Sequence, residues 1–494
     1  MVVNLERPFT ATGGVKVHLL FIVKEIDNEP HGILHISSLL KKEGHRVSLI
    51  VASEEDPVEG AARLQPDVVG YSVYTGTQNY YLDLNRRIRA RLPRVFSIFG
   101  GPHPTFFPEI IEAEGVDGVC VGEGEYATLD LLNALGEGRP FAHLPNWWFK
   151  REGNVIRNPL RPLLSERELD ELPFPDRELL YQAHPPSRGN KIRPFITGRG
   201  CPYNCTYCFN KAYSEIYRGL GKRTRRRSVN NVIREIKAVC ARYPLEFITF
   251  MDDTFILNRR WLEEFSLRYG EEVGLPFWCQ VRADLLTAEM AAMLKEAGCV
   301  SVSFGLEAGN DRLRNVVLNR QMSREQILNA SRILRAQGLA FMTNNMLGLP
   351  TGSLEDDFET LELNIRCRPS YANAFLFQPY PKTELGEMAC REGFMLGSFD
   401  DLSGSVSDYS ILRFASEAEK RQIENLQKLF AFTVEFPFLL PLVRLLIRLP
   451  RNKIFWLIYK LWKGYAIKRR MFPFRLTPRE YMSAAWQYMR IRSQ

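Results

Sequence analysis

Short apolar runs alternate with amphipathic stretches over the first 140 residues of the chain. The apolar runs predict strands, and the stretches between them, whose apolar positions recur every three or four residues, predict helices. Strands are expected over residues 15–23, 46–51, 67–72, 95–100 and 118–121, and helices over 32–43 and 78–91. Strands that alternate with helices indicate a parallel sheet covered on both faces, so we expect an α/β, doubly wound domain of the Rossmann or flavodoxin type.

The same alternation returns after residue 192 and continues to residue 380. It predicts strands over residues 193–197, 245–252, 276–282, 300–306, 339–347 and 372–380, and helices over 228–243, 259–273, 287–297, 323–336 and 353–366. Six such β/α units indicate a partial (β/α)6 barrel of the TIM type. The reactive groups of these barrels lie at the carboxyl ends of the strands, so polar residues at those ends are the candidates for chemistry.

Two other regions lack this alternation. Residues 141–190 are rich in proline and charge, and we expect them to be a linker. From about residue 385 the β/α pattern is lost, and the helical periodicity over 417–432 favours a mostly helical C-terminal region. The expected domains are therefore a doubly wound domain over 1–140, a linker over 141–190, a barrel over 191–385 and a helical, basic and apolar region over 386–494.

The composition is that of an ordinary globular protein. The chain has 494 residues, of which 45% are apolar and 25% charged, so roughly two to four domains are expected. The first residues lack the apolar stretch of a signal peptide, and no run of about 18 uncharged apolar residues is present. The nine cysteines show no regular disulfide spacing. These features predict a location in the cytoplasm.

The positive charge of the chain is concentrated near its C-terminus. The formal net charge is +8, from 65 basic and 57 acidic residues, yet residues 436–479 contain eleven Lys or Arg and no Asp or Glu. The remainder is slightly acidic, which disfavours general nucleic-acid binding. The segment is also apolar and aromatic. Two interpretations stay open: peripheral contact with the inner face of a membrane, or a helical cap that packs on the barrel.

The candidate chemistry of the barrel begins with three cysteines. Cys201, Cys205 and Cys208 lie in the segment GRGCPYNCTYCFN, directly after the first predicted strand. Three thiolates on one short loop can bind a soft metal centre. Structural zinc sites and most iron–sulfur clusters use four protein ligands, so a 4Fe-4S cluster held by three leaves one iron open. A zinc knuckle or a disulfide pair is the alternative, although the nearest other cysteine, Cys240, is 32 residues away in a predicted helix.

This segment resembles the radical S-adenosylmethionine (radical SAM) enzymes, including the aromatic residues Tyr207 and Phe209 beside the last cysteine. The resemblance implies that Cys201, Cys205 and Cys208 hold a 4Fe-4S cluster whose open iron chelates S-adenosylmethionine. It also implies that an external electron donor of the flavodoxin or ferredoxin type reduces the cluster. Reductive cleavage of S-adenosylmethionine then gives a 5′-deoxyadenosyl radical, which removes a hydrogen atom from an unactivated carbon.

The same resemblance implies roles for polar residues at the later strand ends. Asp252 or Asp253 would accept from the methionine amino group, and Glu307 would meet the ribose or the amino end. Each of these assignments, including that of Gln280, has an alternative in which the residue only caps the following helix. The complete set of expected cofactor-binding residues in the barrel is Tyr207, Phe209, Asp252, Asp253, Gln280, Arg282, Glu307 and Tyr380.

The loops of the first domain resemble the cobalamin-binding domain that precedes many radical SAM barrels. The matching segments are Val69-Gly-Tyr-Ser, Phe99-Gly-Gly-Pro-His-Pro-Thr and Val121-Gly-Glu-Gly-Glu. The Asp-x-His-x-x-Gly motif that supplies an axial histidine is absent, so we expect cobalt without a protein histidine ligand. A degenerate domain without cobalamin is the alternative. The expected cobalamin-binding residues are Ser72, Thr75, Thr77, Gly100, Gly101, His103, Gly122, Glu123 and Gly124.

Together these features predict a cobalamin-dependent radical SAM enzyme. The leading hypothesis is a C-methyltransferase that methylates an unactivated carbon of a small molecule, natural product or lipid. A radical rearrangement, cyclisation or ring contraction without methyl transfer is the first alternative. A sensor without turnover and a nucleic-acid-modifying enzyme are the other two.

Overall fold

The computed structural model describes residues 15–151, 153–402 and 407–474 of the chain. These residues form two compact units. The first runs to Asn190 and includes the short returning segments 217–222 and 242–244, and the second comprises 191–216, 223–241 and the chain from Leu245 onward. Each unit is built on its own sheet.

The sheet of the first unit has the strand order β2-β1-β3-β4-β5-β6-β7, and β1 to β5 are parallel. All six residues of β1 are buried, because helices cover both faces of such a sheet. The predicted doubly wound fold is therefore confirmed. The strands are β1 (His18–Val23), β2 (Arg46–Val51), β3 (Val68–Ser72), β4 (Phe96–Gly100), β5 (Gly118–Cys120), β6 (Trp147–Arg151) and β7 (Asn154–Arg157).

The helices of the first unit follow the predicted apolar periodicity. The predicted helix over 78–91 has the bounds of α3, and the one over 32–43 is shifted by one residue from α1. Leu84 and Ile88 of α3 pack against Tyr71 and Phe99 of the sheet. The helices in the described part of this unit are α1 (His31–Lys42), α2 (Pro57–Leu64), α3 (Gln78–Arg91), α4 (Pro102–Phe106), α5 (Glu125–Gly136), α6 (Glu166–Glu171) and α7 (Arg177–Ala183).

The expected linker over 141–190 is not a linker in the structure. Its first part forms the hairpin of β6 and β7, which extends the sheet in antiparallel fashion from β5. Trp147 is 1% exposed and donates from its indole nitrogen to the carbonyl of Ala127. The high proline and charge content of residues 141–190 led to the prediction of a linker, although the segment contains short packed elements. Two runs rich in β-forming residues, separated by a turn, were a signal for the hairpin.

The later part of 141–190 is also anchored in the first unit. Arg177 pairs with Glu29 at 2.8 Å, and the side chains are only 3% and 7% exposed. The hydroxyl of Tyr181 donates to the other carboxylate oxygen of Glu29 at 2.8 Å. A buried ion pair of this kind fixes α7 against the chain that leads into α1.

The sheet of the second unit has six parallel strands, each paired with the next one along the chain. Its order is β15-β14-β13-β12-β11-β8, which confirms the predicted partial barrel. A short two-stranded ladder, β9 with β10, stands apart from it. The strands are β8 (Ile192–Phe195), β9 (Gly198–Arg199), β10 (Arg225–Arg226), β11 (Phe247–Phe250), β12 (Phe277–Gln280), β13 (Cys299–Glu307), β14 (Ala340–Leu347) and β15 (Tyr371–Leu376).

Helices alternate with these strands and begin at polar caps. Ser228 caps α9, and Ser323 and Gln326 form a capping box at the start of α12, which satisfies backbone N–H groups that have no partner within the helix. The helices described here are α8 (Phe209–Ile216), α9 (Val229–Cys240), α10 (Arg259–Glu272), α11 (Ala288–Glu296), α12 (Arg324–Ala336), α13 (Leu354–Cys367) and α14 (Glu384–Arg391).

The C-terminal region is helical, as expected, and packs on the barrel. Its helices are α15 (Glu417–Glu435), α16 (Leu440–Leu446) and α17 (Lys453–Ala466). Phe430 of α15, Val443 of α16 and Phe455 of α17 share one buried cluster with Leu376 of β15. Among the described residues, none of the helices is both long enough and apolar enough to span a bilayer.

The chain after α17 closes the amino-terminal end of the barrel. The hydroxyl of Ser301, near the start of β13, donates to the carbonyl of Met471 at 2.5 Å. The ring of Phe472 lies 5.7 Å from that of Phe247 and 5.8 Å from that of Trp278, measured between centroids. This end of the barrel is therefore filled by side chains, and the other end carries the polar residues.

The Arg177–Glu29 pair provides a test of how firmly residues 141–190 belong to the first unit. Arg177→Ala leaves a carboxylate buried without its cation, so we expect it to lower the free energy of unfolding by about 3 kcal/mol. Arg167→Ala is the matched control, because Arg167 pairs with Glu171 on the exposed surface, and we expect less than about 0.5 kcal/mol. Urea unfolding followed by tryptophan fluorescence measures both. Equal midpoints for the two variants would contradict this packing.

Candidate active site

The start of the cysteine loop is held by a buried carboxylate. Thr197 follows β8 and donates to Asp252 from its backbone nitrogen at 3.1 Å and from its hydroxyl at 2.8 Å. Asp252 is 3% exposed, and burial raises the pKa of its carboxyl, an effect that Arg226 and these hydrogen bonds oppose. The Asp252 carboxylate thus accepts hydrogen bonds from the start of the cysteine loop, so Asp252 is a positioning residue for that loop.

The three cysteines lie on this loop with different degrees of burial. Cys205 is buried, whereas Cys201 and Cys208 are partly exposed, and all nine cysteines of the chain are free. Between them, Thr206 donates from its hydroxyl to the carbonyl of Val317 at 2.6 Å. Leu385 donates from its backbone nitrogen to the carbonyl of Thr206 at 2.9 Å. The loop is therefore fixed by neighbouring segments on two sides.

The donor set on this loop fits an iron–sulfur cluster. It consists of thiols alone, the ligands that such clusters take, and it provides three of them. In the described ranges of the chain, no three His, Cys, Asp or Glu side chains are close enough together to hold one metal ion. A 4Fe-4S cluster does not require such convergence, because each thiolate binds a different iron atom.

A buried arginine that the sequence analysis did not single out contacts the loop. Arg320 donates to the sulfur of Cys205 at 3.7 Å, to the hydroxyl of Tyr207 at 3.2 Å and to the carbonyl of Gly305 at 2.7 Å. It is 9% exposed. The two residues that flank Arg320 along the chain have the left-handed φ angles of 49° and 52°. The only signal in the sequence was a polar loop before the capped helix α12.

Glu307 completes this contact at the end of β13. The hydroxyl of Tyr207 donates to its carboxylate at 3.0 Å. Burial raises the pKa of the Glu307 carboxyl, and the cation of Arg320 opposes that rise. Glu307 has a φ of 67°, and such a conformation costs a non-glycine residue on the order of 1–3 kcal/mol. The strained backbone conformation thus occurs at the residue whose carboxylate accepts the hydrogen bond from Tyr207.

Most of the remaining candidates from the barrel strands lie at the same end. The guanidinium of Arg282 lies 3.5 Å from the centroid of the Tyr203 ring and pairs with Asp284 at 2.8 Å. It also donates to the carbonyl of Arg320 at 2.5 Å. The structure therefore brings Arg282 together with the cysteine loop and with Glu307, and Gln280 ends the adjacent strand β12.

The open side of the loop carries the other predicted residues. The side chain of Asn210 hydrogen-bonds the carboxylate of Asp253, which is solvent-accessible, unlike that of Asp252. The ring of Phe209 lies 5.7 Å from that of Tyr380. The structure thus separates the two adjacent aspartates: Asp252 fixes the loop, and Asp253 remains available to a ligand.

Polar side chains also line the interior of the barrel, which the sequence analysis did not anticipate. Ser303 and Asn344 lie on the strand face opposite Phe304 and Phe341, whose rings stack on each other. Asn373 donates to the side-chain oxygen of Asn344 at 3.2 Å. The oxygen of Asn373 and the hydroxyl of Ser303 are buried and have no hydrogen-bond partner among the described residues. Such atoms are expected where a ligand supplies the missing partner.

In the first unit, the loops after β3, β4 and β5 meet at the carboxyl end of the sheet. Val73 donates from its backbone nitrogen to the carbonyl of Gly100 at 2.8 Å. The hydroxyl of Thr105 donates to the carbonyl of Gly101 at 2.8 Å and accepts from the nitrogen of Gly122 at 3.1 Å. Ligands of open parallel sheets bind at this end, and Thr105 is the side chain that joins two of the loops.

The glycines of these loops leave room for a ligand. A Cβ atom at Gly76 would meet no described atom within 4 Å, and one at Gly100 would meet only that of Cys120, at 3.7 Å. Gly101 has a φ of 94°, and a Cβ there would lie 2.9 Å from the nitrogen of Val73. Backbone that is bare and open fits a flat macrocycle, so this edge suits a corrin.

Three of the residues predicted to bind cobalamin make hydrogen bonds or packing contacts within the first unit. The hydroxyl of Thr77 donates to the carbonyl of Tyr74 in its own turn. The carboxylate of Glu123 accepts from the nitrogen of Leu164 at 2.9 Å. Gly124 precedes α5 and lies beside Ile36. The side chains of Thr77 and Glu123 therefore each have a partner within the protein, whereas Ser72 is partly exposed beside the open loops.

The imidazole ring of His103 is fixed by contacts with two neighbouring side chains. Its Nδ1 atom lies 3.2 Å from the hydroxyl oxygen of Thr75, and its ring stacks on that of Phe107 at 4.8 Å. Tyr217, which the sequence analysis missed, accepts at its hydroxyl from the nitrogen of Glu123 at 3.1 Å. A Cβ at Gly122 would lie 1.7 Å from that hydroxyl oxygen, so only glycine fits there.

Comparison with known proteins identifies both units. Residues 195–363 match the family model of the radical SAM superfamily, and residues 17–132 match that of the B12 binding domain. An uncharacterized methyltransferase of Pyrococcus horikoshii is 29% identical over 375 residues, which are 74% of this chain and 80% of that protein. The anaerobic magnesium-protoporphyrin IX monomethyl ester cyclase of Rubrivivax gelatinosus is 26% identical over 376 residues, which are 72% of this chain and 65% of that protein.

A solved structure has the same fold. The cobalamin-dependent S-adenosylmethionine radical enzyme OxsB, with aqua-cobalamin bound, superposes with a TM-score of 0.68 over 91% of this chain and 71% of that chain, at 16% identity. With the two matched domains, the three-thiol loop and the open glycine loops, the family is established. The chain belongs to the radical SAM superfamily and carries a B12-binding domain, and its cofactors are a 4Fe-4S cluster, S-adenosylmethionine and cobalamin.

Proposed function

We propose that this enzyme is a cobalamin-dependent C-methyltransferase that acts on an unactivated carbon of a small molecule, natural product or lipid. The observation that carries the proposal is the presence in one chain of a three-thiol loop and a B12-binding domain. The similarity to a methyltransferase over most of the chain favours methyl transfer. When bound, the reduced cluster supplies an electron that splits S-adenosylmethionine into a 5′-deoxyadenosyl radical and methionine, and cobalamin supplies a methyl carrier.

The residues of the second unit have distinct roles in this proposal. The thiolates of Cys201, Cys205 and Cys208 hold the cluster. Arg320 places a permanent cation beside Cys205 and fixes Tyr207, which in turn orients Glu307. The residues left for S-adenosylmethionine are those at the open end of the barrel: Asp253, Gln280, Arg282, Glu307, Phe209 and Tyr380.

The barrel interior supports a substrate with hydrogen-bonding groups. The buried side chains of Ser303 and Asn373 each have an atom without a partner among the residues described. A substrate that donates to the oxygen of Asn373 and bonds the hydroxyl of Ser303 would satisfy both atoms. Such contacts hold a chosen carbon in one place, which orients it for hydrogen removal.

The first unit holds cobalamin in this proposal. Backbone at Gly76 and Gly100 receives the corrin, and Gly101 and Gly122 allow the loops to pack closely beside it. The hydroxyls of Ser72 and Thr75 are the side-chain donors nearby. The chain lacks the Asp-x-His-x-x-Gly motif, which supports cobalt without a histidine ligand from the protein. The domain division is then 1–190 for cobalamin, 191–385 for radical chemistry and 386–494 for the helical region.

Two further parts of the proposal concern partners and location. Reduction of the cluster requires an external electron donor, for which flavodoxin or ferredoxin is the suitable class. A cluster with an open iron requires a reducing environment, so we place the reaction in the cytoplasm. The similarity to a cyclase supports the alternative, a cobalamin-dependent cyclisation, rearrangement or ring contraction without methyl transfer.

Cys205→Ala tests the assignment of the cluster. The variant removes one of three ligands, so we expect no 5′-deoxyadenosine from S-adenosylmethionine after anaerobic reconstitution, while corrin binding stays close to that of the wild type. The control is Cys390→Ala, because Cys390 is exposed on α14. Chromatography of the nucleoside and the corrin absorption bands provide the two readouts. Loss of the corrin bands in Cys205→Ala would contradict the division of cofactors between the units.

Arg320→Gln tests the positioning role of the buried cation. Removal of a group that contacts a ligand sulfur should reduce the affinity for iron by about tenfold or more, and loss of the positive charge should shift the cluster potential to a more negative value. Arg320→Lys should keep the potential and lose part of the iron. Arg312→Gln, at an exposed residue bonded to Thr351, is the control. Full iron content and an unchanged potential in Arg320→Gln would refute this role.

Isotope labelling separates methyl transfer from the alternative. Turnover with S-adenosylmethionine that carries a trideuterated methyl group should yield S-adenosylhomocysteine and a product whose mass increases by one labelled methyl group. Cobalamin-free protein should form neither, which is the control. If the substrate is consumed and the product carries no label, the enzyme catalyses a rearrangement or cyclisation, and the cluster assignment tested by Cys205→Ala is unaffected.

A further inference from the structure

Helix α17 has apolar residues on an inner, buried face and on an outer, exposed one. Its inner face is buried against the barrel cluster that includes Phe455. On the outer face, a row of exposed apolar side chains recurs at intervals of three or four residues, which places them along one line of the helix; they are Ile454, Leu457, Leu461 and Tyr465. An amphipathic surface helix has polar residues at such positions, so the outer row requires a separate explanation.

The segment before α17 has a second exposed row with the same spacing. Phe438, Leu442, Leu445 and Leu449 are exposed, and Phe438 is 77% exposed. Of the sixteen large apolar side chains that are exposed in the described residues, these two rows contain eight. Exposed apolar residues are normally scattered, and a concentration of this kind marks an interaction surface.

Aromatic contacts join the two rows into one surface. The ring of Phe438 lies 6.2 Å from that of Phe436, and the ring of Phe436 lies 5.6 Å from that of Trp462. Trp462 in turn lies 5.6 Å from Tyr465 of the outer row. We call the two rows with these aromatic residues the C-terminal apolar face.

A cavity rich in arginine borders this face. Its volume is about 930 Å³, and its lining includes Pro437, the neighbour of Phe438, and Glu435, which pairs with Arg470. The guanidinium of Arg470 also lies 5.6 Å from the centroid of the Tyr465 ring. The arginines that line the cavity are Arg332, Arg335, Arg366, Arg368 and Arg470.

We propose that the C-terminal apolar face docks on the surface of an anionic lipid bilayer. The aliphatic rows enter the boundary between headgroups and acyl chains, and the aromatic residues lie at headgroup level. The arginine cavity binds lipid phosphate groups, which guanidinium groups match in geometry and charge. The absence of any acidic residue from 436 to 479 is the charge pattern that anionic lipids attract.

The charge distribution argues against the other occupants of this face. A second copy of the chain related by a two-fold axis would bring two arginine cavities towards each other, and like charges at an interface are unfavourable. A nucleic acid would match the arginines but would leave eight exposed aliphatic and aromatic side chains without a role. An anionic bilayer matches both the apolar and the charged parts.

Vesicle sedimentation of the full chain tests the proposal, which does not depend on the proposed reaction. We expect the wild type to sediment with vesicles of roughly one-third phosphatidylglycerol in phosphatidylcholine and to remain in solution with phosphatidylcholine alone. Leu457→Ser/Leu461→Ser should reduce binding about tenfold or more, because it removes two apolar anchors. Arg332→Glu/Arg366→Glu should reduce binding to a similar extent, and added salt should weaken the wild type.

Two controls on α10 separate these effects from general changes of the surface. Leu267→Ser removes an apolar side chain that is 69% exposed, and Arg260→Glu reverses an exposed charge; both should bind as the wild type does. Equal binding to both vesicle types would overturn the proposal, as would a failure of the wild type to sediment with the anionic vesicles. A dimer in light scattering that Leu457→Ser/Leu461→Ser converts to a monomer, or binding to RNA without binding to vesicles, would also overturn it.

Discussion

Parallel strands confine the polar chemistry of this chain to one end of each sheet. Strands such as β1 are buried on both faces, so most of their side chains are apolar, and most of the polar residues of the two sites lie in the loops that follow the strands. In the first unit these loops present bare glycine backbone. In the second unit they present thiols, carboxylates and guanidinium groups. The same constraint therefore produces two different sites, because the loops differ while the sheets share one construction.

Buried charged side chains fix the position of the cysteine loop in the second unit. Arg320 and Glu307 are nearly inaccessible to solvent, and neither would be stable there alone, because an unpaired buried charge costs several kcal/mol. Each is satisfied through Tyr207, and Arg320 also contacts the sulfur of Cys205. The cysteine loop is thereby coupled to the end of β13, although the two are about 100 residues apart in the chain. Asp252 has the corresponding role at the start of the loop, where it accepts from Thr197.

The sequence was sufficient for the alternation of elements and for the three cysteines, because both depend on local pattern. The strand over 46–51 and the helix over 78–91 were predicted with their observed bounds. It was insufficient for contacts between distant segments. Arg320, Tyr217 and Asn373 have no local pattern that distinguishes them from other loop or strand residues. The hairpin of β6 and β7 was missed because proline and charge around it resemble a linker, whereas burial of Trp147 depends on β5 and α5, which lie earlier in the chain.

The C-terminal region shows that the two interpretations of its apolar character are compatible. The sequence suggested either a cap on the barrel or a surface for a membrane, since one stretch was both apolar and basic. In the structure, Phe455 and Val443 are buried in the cluster shared with β15 and α15, while Leu457 and Leu445 are exposed. A helix that only capped the barrel would need apolar residues on its inner face alone. Packing on the barrel thus explains the inner residues, and the proposed contact with an anionic bilayer explains the exposed apolar rows and the absence of acidic residues from 436 to 479.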